Sequence, residues 1–187
     1  ETDRQSVCQF DWVGWAGMDR PNRNIARGEA TRAQLIAIAT RLFAEHGYEG
    51  TSIEAVLREA GVSRGSLYHH FPGKEALFEA VAEEVETSVG AQTLAAAAGA
   101  DGPVAALRAG SLAWIRLAGD PVVQRILLID APSVLGWERW RAMEEQHALG
   151  GIKAILHVIA GQGKLRPELA GTLAHVLLAS VNEVALL

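Results

Sequence analysis

Residues 51–74 read TSIEAVLREAGVSRGSLYHHFPGK, and this run decides the fold. Thr51-Ser52-Ile53-Glu54 has the form of a capping box: the Thr51 hydroxyl accepts from the backbone N–H of residue 54, and Glu54 reaches back to the N–H of Thr51. Ile53, Val56, Leu57 and Ala60 then recur at helical spacing, which makes a short helix with one apolar face. Gly61 supplies the left-handed residue that closes it. Ser63 caps a second helix, which Phe71-Pro72-Gly73 ends near His70. A helix, a glycine turn and a second short helix form the arrangement whose second helix enters a DNA major groove.

The side chains of that second helix suit the task. Arg64, Gly65, Tyr68 and His69 fall on one side of the wheel, while Leu67, Phe71 and the Ser63 edge fall on another. Arg64 can meet guanine O6 and N7 or a phosphate. Gly65 lets the backbone approach closely, and Tyr68 and His69 can donate to phosphates or stack on thymine methyls. Thr51 stands at a helix N-terminus, where free N–H groups favour a phosphate. Lys74 opens the next helix and offers a second phosphate contact.

Working outward, Leu35, Ile38, Ala39, Leu42 and Phe43 predict a helix over 29–46 that stops at Gly47. Leu77, Phe78, Val81, Val85 and Val89 predict another over 74–91. Charge separates along the chain. Residues 19–74 hold eight Arg/Lys against six Asp/Glu, whereas 75–187 hold eight against thirteen. A mildly basic head on an acidic body fits a nucleic-acid contact confined to one end.

The two runs 51–56 and 60–77, TSIEAV and AGVSRGSLYHHFPGKEAL, resemble the N-terminal domain of TetR-family transcriptional repressors, and the resemblance covers residues 29–80. It implies an all-α chain in two parts: a three-helix DNA-binding head over 29–74 and a helical body over 75–187 that binds a small molecule and dimerises. The helix over 74–91 would link them. By position it implies DNA contacts from Thr51, Arg64, Gly65, Ser66, Tyr68, His69 and Lys74, and Ser63, which caps the reading helix, is counted among the DNA-binding residues with them. His69 stands where the family often has tyrosine. The partners implied are a palindromic double-stranded operator, a second copy of the chain and a small effector, which the apolar and aromatic content of the body suits.

The body itself reads as helices throughout. An Ala-rich stretch and Gly99-Ala100-Asp101-Gly102-Pro103 form a small-residue linker over 95–103, followed by a helix over 104–118. Asp120-Pro121 starts the next, and Ala131-Pro132 interrupts it. Trp140, Met143, His147, Gly151, Ala154 and Val158 form one stripe over 133–160, and Gly161-Gln162-Gly163 ends it. Trp114, Trp137, Trp140, Met143, His147 and Asn182 are the candidate pocket residues. The tryptophans read equally as core, His147 as a hydrogen-bonded semi-buried histidine, and Asn182 as part of an interface. Glu144-Glu145 reads as a solvated face. The last helix, opened by Pro167, carries apolar groups on more than one face, and Leu173, Leu177, Leu178 and Val181 are the candidate dimer contacts.

The remaining classes are set aside by composition. With 187 residues, 49% of them hydrophobic and 21% charged, the chain buries a core without staples. A single cysteine, Cys8, allows no intrachain disulfide and fits a reducing, cytoplasmic setting. There is no spanning apolar run and no metal-ligand spacing, and no cofactor is expected. Gly161-Gln162-Gly163-Lys164 lacks the earlier glycine and the following Ser/Thr of a phosphate loop. No nucleophile elbow or paired carboxylates mark an enzyme, so a small helical enzyme and an effector-free architectural protein are the alternatives. Residues 1–28 read as a leader, with 1–17 non-native and three arginines in 20–27 as a basic arm. The apolar pattern is cut at Leu187, which reads as a truncation.

Overall fold

The computed structural model describes residues 23–186, so residues 1–22 of the leader, with Cys8, and the end at Leu187 lie outside the described residues, while residues 23–28, read as leader, are the first turns of a helix. Among these residues there is no strand. The head is α1 (Arg23–Gly50), α2 (Ile53–Ala60) and α3 (Arg64–His70). α1 is broken at Gly47, where φ is 71° and ψ 172°. That pair lies in a region only glycine enters cheaply. Gly61, at φ 65° and ψ 24°, turns α2 into α3, and its N–H donates to the Leu57 carbonyl.

α4 (Lys74–Ala98) then leaves the head, longer than the apolar pattern predicts. Alanines 95–98 continue the helix because they are its best formers, so the small-residue linker is confined to 99–102. The body adds α5 (Pro103–Ala118), α6 (Pro121–Val123), a π-helical stretch π1 (Gln124–Asp130) and α7 (Ala131–Val134). Asp120 caps α6 by accepting from the Val122 N–H at 2.8 Å. After α8 (Trp137–Glu144) comes a second π-helical stretch, π2 (Glu145–Leu149), which runs into α9 (Gly150–Gly161). A 3₁₀ turn (Pro167–Leu169) leads to α10 (Ala170–Ala185). The single stripe expected over 133–160 is therefore divided among α7, α8, π2 and α9.

Two cores hold these elements. One runs from the head into the first half of the body: Leu35, Phe43, Val56, Leu67, Leu77 and Phe78 are continuous with Ile126, Ala131 and Met143. Phe43 meets Phe78 edge to face with centroids 5.1 Å apart, and Tyr48 packs on both rings. The other core, around Leu149, Leu156, Ile159, Ala174 and Leu178, joins π2, α9 and α10. Head and body are also tied by polar contacts. Asp130 accepts from the Tyr48 N–H at 2.7 Å and from Arg125 Nε at 3.1 Å, and Arg139 of α8 pairs with Glu75 and Glu79 of α4.

Candidate nucleic-acid interface and internal cavity

α3 is seven residues long and is fixed from beneath. Leu67 is fully buried and Phe71 is nearly so, which anchors one side on α1 and α2. Ser63 Oγ accepts from the Ser66 N–H at 3.2 Å and sets the first turn. The opposite side is open: Arg64, Gly65, Tyr68 and His69 are all exposed, and Ser66 stands at its edge. The Arg64 guanidinium bonds Glu54 of α2 and lies 5.9 Å from the centre of the Tyr68 ring. Lys74 packs its ammonium over Tyr48, 4.1 Å from the ring centre.

One expected contact is overturned. Thr51 is only 3% exposed. Its hydroxyl donates inward, to the carbonyls of Leu42 at 3.0 Å and Gly47 at 2.9 Å. It repairs the end of α1, where carbonyls have lost their helical partners, and it is not placed to meet a phosphate. Ser52 takes the capping role instead, accepting from the Ala55 N–H at 3.1 Å.

A second feature lies in the body. α4, α5, π2, α9 and α10 line a half-open cavity of about 330 Å³. Of the candidate pocket residues, Trp114 and His147 line it, as do Leu178 and Val181. Trp137, Trp140, Met143 and Asn182 do not. Trp137 is 61% exposed, while Trp140 and Met143 pack on the head–body core, because the extra residue in the π2 turn rotates α8 out of register with α9. Asn182 sits behind the wall and donates to Glu144 Oε1 at 2.8 Å.

The cavity brings in a residue that the sequence reading missed. Glu86 of α4 lines it and is 6% exposed. Burial, with a smaller push from the charge of Glu144, raises its carboxyl to about 7. The signal was available: position 86 is four after Ala82 and three before Val89 on a buried stripe, where a carboxylate is out of place. Glu144, read as solvated, is buried too. Burial raises its carboxyl, and the Asn182 hydrogen bond and Arg141 oppose the rise.

The interface expectation for α10 also changes. Leu178 is 5% exposed and belongs to its own subunit's core, Leu173 and Leu177 pack against that core, and Val181 faces the cavity. The exposed valines of α10 are Val176 and Val184, at 53% and 48%, and α9 exposes Val158 at 54%. Among the described residues no helix is long and apolar enough to cross a membrane, and no group of three His, Cys, Asp or Glu could hold a metal.

Comparison with known proteins places both parts. Residues 35–81 match the family of bacterial regulatory proteins, tetR family, and residues 104–187 match the tetracyclin repressor-like C-terminal domain. The HTH-type transcriptional repressor AcnR of Corynebacterium efficiens is 46% identical over 54 residues, a stretch that spans 29% of this chain and 29% of that repressor. A solved TetR-family transcriptional regulator of Pectobacterium atrosepticum is 30% identical and superposes with a TM-score of 0.71, covering 86% of this chain and 84% of its own. FadR of Bacillus subtilis, solved with stearoyl-CoA, shares the fold at 17% identity and a TM-score of 0.70, covering 82% and 84%. With a helix-turn-helix head, a cavity in the body and a relative alike over most of both chains, the protein belongs to the TetR family of bacterial transcriptional regulators.

Proposed function

We propose that the chain is a repressor that grips a near-palindromic operator as a two-fold dimer and is released by a small molecule held in the body. The observation that carries this reading is α3, whose buried Leu67 leaves Arg64, Gly65, Tyr68 and His69 on one exposed side. In the groove, Arg64 would exchange Glu54 for a guanine edge, one charge-assisted contact for another. Gly65 and Ser66 would admit the backbone of the DNA, and Tyr68 and His69 would fix the register by donating to phosphates. Lys74 would add a phosphate contact at the flank.

The dimer is supported by the exposed valines of α9 and α10, Val158, Val176 and Val184. Such side chains are buried when their surface meets itself across a two-fold axis. The effector site is supported by the cavity, which an apolar wall with a few polar groups suits to a small ligand. The stearoyl-CoA bound by the B. subtilis FadR supports the same use of this fold.

Selection of bound sequences from random duplex DNA tests the reading. It should return a palindrome with half-sites about one helical turn apart. Arg64→Ala and Tyr68→Ala should each weaken that operator by ~1–3 kcal/mol while helical circular dichroism is unchanged. Unchanged affinity in both variants would sink the assignment of α3 as the reading helix.

A further inference from the structure

The cavity wall has a definite chemical bias. Its apolar part is built by Val89, Leu107, Ile152, Ile155, Leu178 and Val181. The polar side chains on it are Glu86, Thr87, Thr93, Ser111, Gln146 and His147, and among the described residues neither lysine nor arginine lines it. Glu86 and Glu144 both lie within reach of one another's charge and both are buried.

The two acids are not equally provided for. Glu144 has the Asn182 amide at 2.8 Å and Arg141 at 3.5 Å. What acts on Glu86 is burial and the like charge of Glu144, with neither a cation nor a donor to offset them. A buried carboxylate in that position either keeps its proton or waits for a positive partner. Two further groups stay unsatisfied nearby. The Trp114 indole N–H is buried without an acceptor, and so is the Asn182 Oδ1 without a donor. The Trp114 ring also presents an aromatic surface to the same space, and aromatic rings attract cations.

We propose that the effector is a lipophilic amine, with its hydrocarbon part against the α5, α9 and α10 wall and its ammonium on Glu86. This rests on the reading of the cavity as the effector site. An anionic head such as a carboxylate or a phosphate finds neither lysine nor arginine on the wall, only the His147 imidazole, and it meets Glu86 with Glu144 close to it. A neutral alcohol finds a partner but gains nothing from the charge. The ammonium supplies the donors that Glu86 lacks and places a positive charge where the second acid, Glu144, also attracts it.

Three probes of one skeleton separate these cases: 4-phenylbutylamine, 4-phenylbutanol and 4-phenylbutyrate. Binding to the full-length protein is measured by titration calorimetry at neutral pH. The amine should bind at least about tenfold more tightly than the alcohol, and the carboxylate more weakly than either, a tenfold step being about 1.4 kcal/mol. Glu86→Gln should abolish the amine's advantage and leave alcohol binding unchanged. Glu86→Met, of similar volume, gives the same reading if the Gln variant does not fold. The proposal is overturned if the carboxylate binds as well as the amine, if the amine's advantage survives both variants, or if none of the three binds up to millimolar concentration. Tight, Glu86-dependent binding of the amine that leaves operator affinity untouched would uphold the ligand chemistry and overturn the effector reading instead.

Discussion

Replacing Gly47 by alanine should strike the junction between head and body. The chain there has φ 71° and ψ 172°, a conformation that holds a non-glycine residue at a strain of ~1–3 kcal/mol. The added Cβ would also run into the Arg125 guanidinium, whose Nε donates to Asp130 at 3.1 Å. Arg125 is a flexible side chain and 42% exposed, so it can move aside. Moving it gives up a contact that, at this exposure, contributes ~0.5–1 kcal/mol. The same Asp130 oxygen holds the Tyr48 N–H at 2.7 Å, so the disturbance reaches the backbone of the head. Gly47→Ala should therefore lower stability by ~2–4 kcal/mol in urea unfolding at fixed protomer concentration. The double variant Gly47→Ala/Arg125→Ala isolates the strain, because in it the clash is gone and the pair is already lost. Relative to Arg125→Ala, its loss should be the strain alone, ~1–3 kcal/mol. If Gly47→Ala is within about 0.5 kcal/mol of the parent, a change typical of a surface site, the reasoning about this junction is wrong.

Thr51→Val should lower stability by ~1–2 kcal/mol, because it leaves the Leu42 and Gly47 carbonyls without their donor. Operator binding by the folded variant should not change, and a loss of ~1 kcal/mol in affinity, alike on all sequences, would restore Thr51 as a phosphate contact. Glu86, with its carboxyl at about 7 in the fold, keeps a proton that the unfolded chain releases above its ordinary value. The stability this proton confers is complete below about pH 4 and is lost as pH rises through 7. Between pH 5 and pH 8 the parent should lose ~2 kcal/mol more than Glu86→Gln, a comparison in which Glu144, His147 and Arg141 are common to both proteins. Val176→Glu on the outward face of α10 should give a folded monomer by sedimentation, and a dimer that persists would move the interface elsewhere. Leu178→Glu, by contrast, should unfold the body, because Leu178 is buried in its own subunit.

The head was legible because its signals are local. Gly61, Ser63 and the Phe71-Pro72-Gly73 break each act within a few residues, and each stands where the pattern puts it. Thr51 and Ser52 are two adjacent hydroxyls, and only the distant carbonyl of Leu42 decides which of them caps α2. In the body the signal is periodicity, and π turns defeat it. An i→i+5 turn holds one residue more than the helical period allows, so Met143 and His147 share a stripe on paper and face different spaces in the fold. The burial of Glu144 depends on Asn182, 38 residues away, a pairing that no local pattern carries. Glu86 is the opposite case, a charge on a buried stripe that spacing alone could have flagged.

α4 has a mechanical consequence. Its 25 residues make a rod ~37 Å long, stiffened at the head end by Arg139 on Glu75 and Glu79. Glu86 stands ~18 Å along it from Lys74, so the cavity touches the rod near its middle while the end at Lys74 carries the helix-turn-helix head. A swing of about 5° about Glu86 carries the Lys74 end ~1.6 Å sideways on that arm. In the proposed dimer, two copies related by a two-fold axis would move in opposite senses, which would change the distance between heads by ~3 Å against a helical turn of ~34 Å. In the proposed dimer a bound molecule that shifts the rod at the cavity would thus be geared up into a mismatch of groove spacing, and the gear ratio would be set by the twelve-residue step from Lys74 to Glu86.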